Sequence, residues 1–543
     1  MERARELTDG YSTAGAPALE GTGALLRFAL RRERVRLVVW VAVGAGLVAA
    51  QATASQALYD SPEDLVAYRA SVGSNAATIA FGGPPVGLDT VAGTVAFEIS
   101  AFLLLVAALM ALFTTGRLSR GDEEAGRTEQ LRATRVGRHA PLLAAVLTAG
   151  LACAALVPAV GAAAAATGLP ATGSFLLGAS AGAVGLVFTG IAAVAAQVTG
   201  STRATYGVVG AVFGVAFALR AVGDVEGTAL VWASPLGWAQ ATHPWSDDRW
   251  APLLLCLGAA AVLLALAVVL LDRRDLGAGL VAPRPGPAAA SRALLSPLGL
   301  AFRLQRAALL GWTVGLVLLG GVYGALAGSV ETLFADNPEA RAFLPDAGSL
   351  VDAWFATTLA TTALLAAGHA VSSVLRARGE EAAGRAEPVL ATATGRAAWL
   401  GGHGTVALLG SAALLIASGA AAGAVRAAAG GAAEDVGRLL VAALAYLPAV
   451  WAVAGLAVAL SGLLPRAAAT LAWTAVTYVV AATLFASAMD WPAWADDLSP
   501  LGWTPTVPAE EWTLRPLAVL TAVAAGLVAL GFGAFRRRDL ATG

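Results

Sequence analysis

RGDEEAGRTEQLRATRVGR, residues 120–138, and RGEEAAGRAEPVLATATGR, residues 378–396, are one segment written twice. Aligned without a gap, eleven of the nineteen positions are identical. Other pairs follow in the same chain order. Ser234-Pro235-Leu236-Gly237-Trp238 recurs as Ser499-Pro500-Leu501-Gly502-Trp503, and Arg273-Arg274-Asp275-Leu276 recurs as Arg537-Arg538-Asp539-Leu540. Ser61-Pro62-Glu63 answers Asn337-Pro338-Glu339, and Phe28 to Arg32 resembles Phe302 to Arg306. The chain therefore reads as a duplication, and whatever fold one half takes the other is expected to repeat.

The stretches between these landmarks are apolar. Of 543 residues, 58% are hydrophobic and 13% charged, and the mean hydropathy is +0.72. A soluble protein carries about 25% charged residues, and this chain has too few to cover its apolar surface. Disordered, collagen-like and disulfide-scaffold classes fall for the same reason. A polytopic membrane protein remains. A helix crosses the hydrocarbon core in about 20 apolar residues, and twelve such runs are present. Six lie at 36–54, 94–115, 141–165, 174–198, 204–223 and 251–271, and six at 307–328, 353–375, 402–425, 438–462, 467–489 and 514–535. Residues 1–271 form a first transmembrane half, 272–306 a cytoplasmic linker with Pro283, Pro285 and Pro287, and 307–543 a second half. No apolar core lies in the first 24 residues, so no cleavable leader is expected.

Charge sets the orientation. All 35 basic residues are Arg. With the N-terminus inside, 28 fall in inner segments and 7 in outer ones. That asymmetry is the positive-inside signature, and it puts both termini in the cytoplasm of a bacterial plasma membrane. Trp238, Trp245, Trp250, Trp491, Trp494, Trp503 and Trp512 then fit an outer aromatic belt. Two six-span halves that both start inside are parallel repeats, whose pseudo-symmetry axis runs along the membrane normal and whose interface is the natural pathway.

The repeated charged segment reads as a short amphipathic helix with Glu123–Arg127 and Glu381–Arg385 as i,i+4 pairs. Ser119 is positioned to cap the first copy, with Asp122 three residues on. An ordinary charged anchoring loop would explain the charge but not the matching Gly126/Gly384, Glu129/Glu387 and Thr134/Thr392. Ser61 and Asn337 are each followed by Pro and an acid, the pattern of a helix start, and each is expected to open a short external helix. Arg27, Arg31, Arg32, Arg34 and Arg36, then Arg303 and Arg306, suit interfacial helices along the inner leaflet. Glu98 is an intramembrane acid without a counterpart in the second half. Cys153 and Cys256 sit in apolar runs as small core residues. His139, His243, His369 and His403 are scattered without metal-ligand spacing, and the outer acidic pairs Asp247-Asp248 and Asp496-Asp497 read as solvated loop charges, so no metal site and no catalytic constellation is expected. With no Lys there is no standard phosphate-binding loop, and no cofactor is expected in this chain. Nothing points to nucleic acid.

Glu123 to Arg138 resembles the cytoplasmic loop after the second span of ABC-2 type permeases, with its E-x-G-[TR]-x-E-x-L pattern and basic end, and Glu381 to Arg396 repeats it. The topology is similar to the fused twelve-span actinobacterial form, the tetronasin or polyketide-antibiotic and multidrug export permeases. The resemblance implies an all-α polytopic membrane protein of the type V ABC exporter kind, with two parallel six-helix repeats and cytoplasmic coupling helices. It implies that Glu123, Gly126, Arg127 and Glu129, with Glu381, Gly384, Arg385 and Glu387, couple to two copies of a separate ABC ATPase subunit that binds the ATP and Mg. It also implies export of a hydrophobic small molecule from the bilayer or cytoplasm. Pro388 in place of Gln130 and Leu390 in place of Arg132 depart from the pattern and suggest a kinked, less polar second copy. The alternative is a proton-coupled secondary transporter of the major facilitator type, which also has two six-span halves, but its G-x-x-x-D-R-x-G-R-R core is missing here. A membrane-embedded enzyme would need a clustered acid or His site, and a scaffold would not need the duplicated charged loops.

Overall fold

The computed structural model describes residues 17–59, 61–73, 76–282, 286, 288–330, 349–485, 491, 492, 494 and 497–541. The chain divides at residues 285/286 into two compact units. Each is helical throughout, and no strand occurs among the described residues.

In the first unit α1 (Thr22–Leu58) is followed by the short α2 (Pro62–Val72) and α3 (Ala76–Gly82), then α4 (Val91–Gly116), α5 (Arg127–Arg132), α6 (Ala140–Ala166), α7 (Ala171–Val198), α8 (Thr202–Glu226), α9 (Pro235–Gln240) and α10 (Leu253–Asp272). The second unit holds α11 (Pro297–Leu326), α12 (Leu350–Ala382), α13 (Ala386–Leu390), α14 (Arg396–Ala428), α15 (Asp435–Ala445), α16 (Leu447–Leu463), α17 (Ala468–Phe485) and α18 (Leu514–Arg537). Among the described residues eleven helices are long and apolar enough to cross a membrane, α15 and α16 counting as one from Asp435 to Leu463, and the chain is a multi-pass membrane protein. The twelfth expected run, 467–489, corresponds to α17, which counts among the described residues only as a shorter apolar helix over Ala468–Thr483.

Two local expectations change. The basic stretches before the first and seventh runs are not separate interfacial helices. Arg27 to Arg36 lie within the 37-residue α1, and Arg303 and Arg306 within the 30-residue α11. No Gly-Pro break separates the basic and apolar parts, so each helix runs on. At 1.5 Å per residue α1 is about 56 Å long, well beyond a hydrocarbon core of about 30 Å. Nor does Pro388 kink its segment. It is the third residue of α13, where a helix has no intrahelical partner for a backbone N–H. The start at Ser61 is as the sequence reads. Its hydroxyl accepts from the Asp64 N–H at 3.2 Å, the Asp64 carboxylate accepts from the Ser61 N–H at 3.1 Å, and Pro62 is the first helical residue. The matching stretch at 337–339 lies outside the described residues.

Packing within each unit depends on small residues. Lipid tails are as apolar as a Leu side chain, so membrane helices associate through close backbone approach. In the first unit α7 is the buried centre, packed by α4, α6 and α10. A Cβ on Gly178 would meet the Val157 carbonyl oxygen at 2.6 Å, and one on Gly182 the Cys153 carbonyl oxygen at 2.8 Å. Cys153 and Cys256 are both fully buried fillers. In the second unit Gly320 and Gly324 of α11 meet Ser418 and Ala422 of α14, and Gly462 of α16 meets Gly531 of α18. The SPLGW stretches anchor loops in the same way in both units. The Trp238 indole donates to the Trp232 carbonyl at 2.6 Å, and the Trp503 indole to the Asp497 carbonyl at 2.8 Å, each six residues upstream.

Gly182→Leu should lower the thermal stability of the purified chain, with an overpacking cost of about 1–3 kcal/mol. Gly207→Leu on α8, where nothing lies within 4 Å of the added carbon, should leave it unchanged. Thermal unfolding in one detergent separates the two.

Candidate functional site at the repeated charged segments

The first segment begins where α4 ends. Residues Arg117–Gly121 form a π-helical turn, which widens the helix and carries it on to Glu124. Ser119 is therefore inside a continuing helix. Its hydroxyl donates to the Thr115 carbonyl at 2.5 Å and caps nothing. The chain breaks at Gly126, whose φ of 72° is left-handed, a conformation open to Gly at little cost, and α5 follows. The second segment has the same elbow. α12 runs to Ala382, Gly384 takes a φ of 70°, and α13 follows. Each segment is thus two short helical pieces at a glycine elbow rather than one amphipathic helix.

The repeated Glu points inward. Glu123 is buried and accepts both terminal nitrogens of Arg274, at 2.7 and 2.9 Å. It also accepts the Gly277 N–H at 3.1 Å and lies 3.0 Å from Arg120 Nη1. Glu381, 2% exposed, repeats this arrangement. It accepts both terminal nitrogens of Arg538 at 2.5 and 2.8 Å and the Ala541 N–H at 2.8 Å, and lies 3.5 Å from Arg378 Nη1. The two sequence repeats, RGxE and RRDL, meet in each unit as one buried cluster of two Arg and one Glu.

The excess positive charge falls on helix C-termini, where carbonyls are left without intrahelical donors. Arg120 Nε donates to the Ala196 carbonyl at the end of α7, at 2.9 Å, and Arg378 Nε to the Pro465 carbonyl just beyond α16, at 2.8 Å. The last Arg of each segment acts similarly. Arg138 donates to the Leu271 and Arg274 carbonyls, at 2.8 and 3.1 Å, and Arg396 to the Arg538 carbonyl. One segment thereby ties together the ends of α4, α7 and α10, and the other those of α12, α16 and α18.

The expected pairs Glu123–Arg127 and Glu381–Arg385 do not form. The glycine elbow turns each Arg back to the residue before the buried Glu. Arg127 binds Asp122 at 2.6 Å and Arg385 binds Glu380 at 2.7 Å. Both Arg side chains are more than half exposed. The Glu380 hydrogen bond pushes the Arg385 guanidinium above its ordinary value, so an exposed Arg stays charged over a buried carboxylate. Glu129 and Glu387 are exposed, and neither makes an ion pair among the described residues. The eight candidate coupling residues thus divide. Glu123 and Glu381 hold the elbow from inside, Gly126 and Gly384 bend it, and Arg127, Glu129, Arg385 and Glu387 present charge to the outside.

Sequence reasoning assigned no role to Arg274 and Arg538. Their repetition alongside a repeated acid of opposite charge was the available signal. Glu98, isolated in sequence, accepts from Gln51 Nε2 at 2.6 Å, Ser55 Oγ at 2.8 Å and the Tyr59 hydroxyl at 3.0 Å, with the Tyr68 hydroxyl also bonded to it. It ties α1, α2 and α4 together. The four His stay apart. His139 pairs with Asp272, His243 faces Asp247, His369 packs on Trp312, and His403 bonds Gln305. Among the described residues no three His, Cys, Asp or Glu side chains are grouped to hold a metal.

Glu123→Gln leaves Arg120 and Arg274 buried without their counter-charge and should cost about 3–5 kcal/mol. Adding Arg274→Gln should recover part of that loss. A double-mutant cycle on thermal or denaturant unfolding reads the coupling directly.

Comparison with known proteins gives the family. The chain is 40% identical over 526 residues to the multidrug efflux system permease protein Rv1217c of Mycobacterium tuberculosis (strain ATCC 25618 / H37Rv), an alignment covering 96% of this chain and 95% of that protein. The family described as "Multidrug efflux system permease Rv1217c, C-terminal domain" matches residues 23–271 and 294–536, and so takes in both charged segments, their glycine elbows and their buried acids. This multi-pass chain belongs to the Rv1217c family of multidrug efflux system permeases.

Proposed function

We propose that this chain is the permease subunit of an ABC exporter of the ABC-2 type, moving hydrophobic drugs or polyketide-like compounds out of a bacterial cell. In this reading the ATP is bound and hydrolysed, with Mg, by two copies of a separate ATPase subunit. These dock on the two elbows, α5 and α13, on the cytoplasmic side of the plasma membrane. Both termini lie on that side, and the two halves are parallel repeats of six spans.

The observation that carries the reading is the division of labour within each elbow. A segment that only anchors topology has no need of a buried bidentate acid. A segment that must receive a push does. Its outer face, Arg127 and Glu129 or Arg385 and Glu387, is exposed to a partner, each Arg being held by a neighbouring acid. Its inner face is bonded to the ends of three helices. Displacement of the elbow therefore moves those helix ends together rather than bending a loop. An outer pair can part by releasing its Arg, more than half exposed, to water, whereas parting the buried pair strands a charge at a cost of several kcal/mol. The inner bonds thus survive forces that separate the outer ones. The family's efflux role and the lack of a phosphate-binding loop in this chain support an ATPase on another chain.

Replacing Glu129 and Glu387 by Ala together should leave the purified chain's unfolding temperature unchanged and abolish drug resistance at equal expression. Full resistance in that double variant would remove the elbows from the coupling path.

A further inference from the structure

A second site lies in the first unit, beside the elbow. The N-terminal turns of α1, the π-turn after α4, the elbow helix α5 and the start of α6 enclose a cavity of about 280 Å³, near the lower limit of small-molecule sites. Its floor is apolar: Leu25, Ala29, Leu118 and Ala144. Its rim is charged. Arg32 and Arg127 both bind Asp122, at 3.0 and 2.6 Å, and Arg32 also lies 3.5 Å from the buried Glu33, which Arg36 and Arg117 share, so four guanidinium groups face two carboxylates and positive charge is left over. Both Arg retain exposed surface, whereas Asp122 is largely covered.

The surroundings identify the medium. Phe28, Val35 and Val38 on the same helix are more than 60% exposed, which marks a surface meant for lipid. Arg27, Arg31, Arg34 and Arg36 alternate with them and are also exposed. The Arg32 guanidinium sits 6.0 Å above the Phe28 ring. A cavity with an apolar floor, a cationic rim and a lipid-facing flank, at the level where a basic helix enters the bilayer, has the chemistry of a phospholipid site.

We propose that this cavity binds one anionic phospholipid of the adjoining leaflet. Its phosphate is held by Arg32 and Arg127, and the first part of a chain lies against Leu25, Ala29 and Ala144. The lipid headgroup competes with Asp122 for the two Arg, so occupancy loosens the outer pair of the elbow and leaves the Glu123–Arg274 bond intact. Arg127 and α5 belong also to the face proposed to meet the ATPase, so lipid binding rather than transport separates this proposal from that reading.

Native mass spectrometry of the full chain, with any subunits that co-purify, tests this against phosphatidylglycerol and phosphatidylcholine. One phosphatidylglycerol per chain should bind in preference to phosphatidylcholine. Arg32→Gln with Arg127→Gln should weaken it about 30-fold, from the strength of two Arg near a membrane surface. Ala144→Phe, which fills the floor, should weaken it as well. Arg31→Gln with Arg34→Gln removes the same charge outside the cavity and should change little. Equal binding of the two lipids would overturn the proposal, and so would equal loss in the two double Arg variants. Displacement of the lipid by millimolar glycerol 3-phosphate would show a soluble-anion site instead. Unchanged lipid binding, with loss of a co-purifying protein in the cavity variants, would show a protein socket; either result contradicts a lipid site.

Discussion

The bidentate bond from a buried glutamate to an arginine just beyond the last helix of its unit is the constraint on which each elbow depends. Glu123 reaches Arg274 across 151 residues, and Glu381 reaches Arg538 across 157. Each bond closes a half on itself, joining the end of its second long helix to the end of its last. Two Arg and one Glu out of water would be costly without further partners. The carbonyls at the ends of α7 and α16 supply them, with those of Ala278 and Ala541 in the following loops, because helix C-termini offer acceptors that no backbone N–H uses. The charged segment and the helix ends are thus mutually required. Without the segment the carbonyls lack donors, and without the carbonyls the Arg would be poorly solvated.

The rest of each unit is arranged around that anchor by close backbone approach. Gly178 and Gly182 bring α7 against α6, and Gly462 and Gly531 bring α16 against α18. These seams fix the helices whose ends the arginines cap. A helix that approached less closely would carry its terminal carbonyls out of reach of Arg120 or Arg378. Packing by small residues and the ionic cluster therefore belong to one structural solution, stated once in each unit. The glycine elbows add a sharp turn to each unit, and with nothing within 4 Å of either added carbon they turn because of backbone conformation, not crowding.

Much of this was legible in sequence, for reasons that differ by element. Long apolar runs announce membrane helices because the bilayer demands about 20 such residues. The Ser61 start was legible because a capping box is a local device. What failed was partner choice. Helix-surface rules favour the nearest opposite charge one turn away, which made Arg127 the obvious mate of Glu123. The left-handed Gly126 removes Arg127 from that face and sends it to Asp122. The true mate is far along the chain, and no periodicity reports it. The long α1 was misjudged because charge marks a membrane boundary but does not end a helix. The partners of Glu98 were not legible because its donors, Gln51, Ser55 and Tyr59, are neutral and leave no charge pattern to read.

The central claim is that the elbows receive work from ATP hydrolysed elsewhere. Its most direct test is transport by the purified chain in sealed vesicles, with and without the subunits that co-purify from its native host in mild detergent. The account predicts two ATPase subunits per chain and drug movement that requires ATP and persists when the proton gradient is collapsed. A chain that purifies alone and moves the drug on a proton gradient without ATP would contradict it.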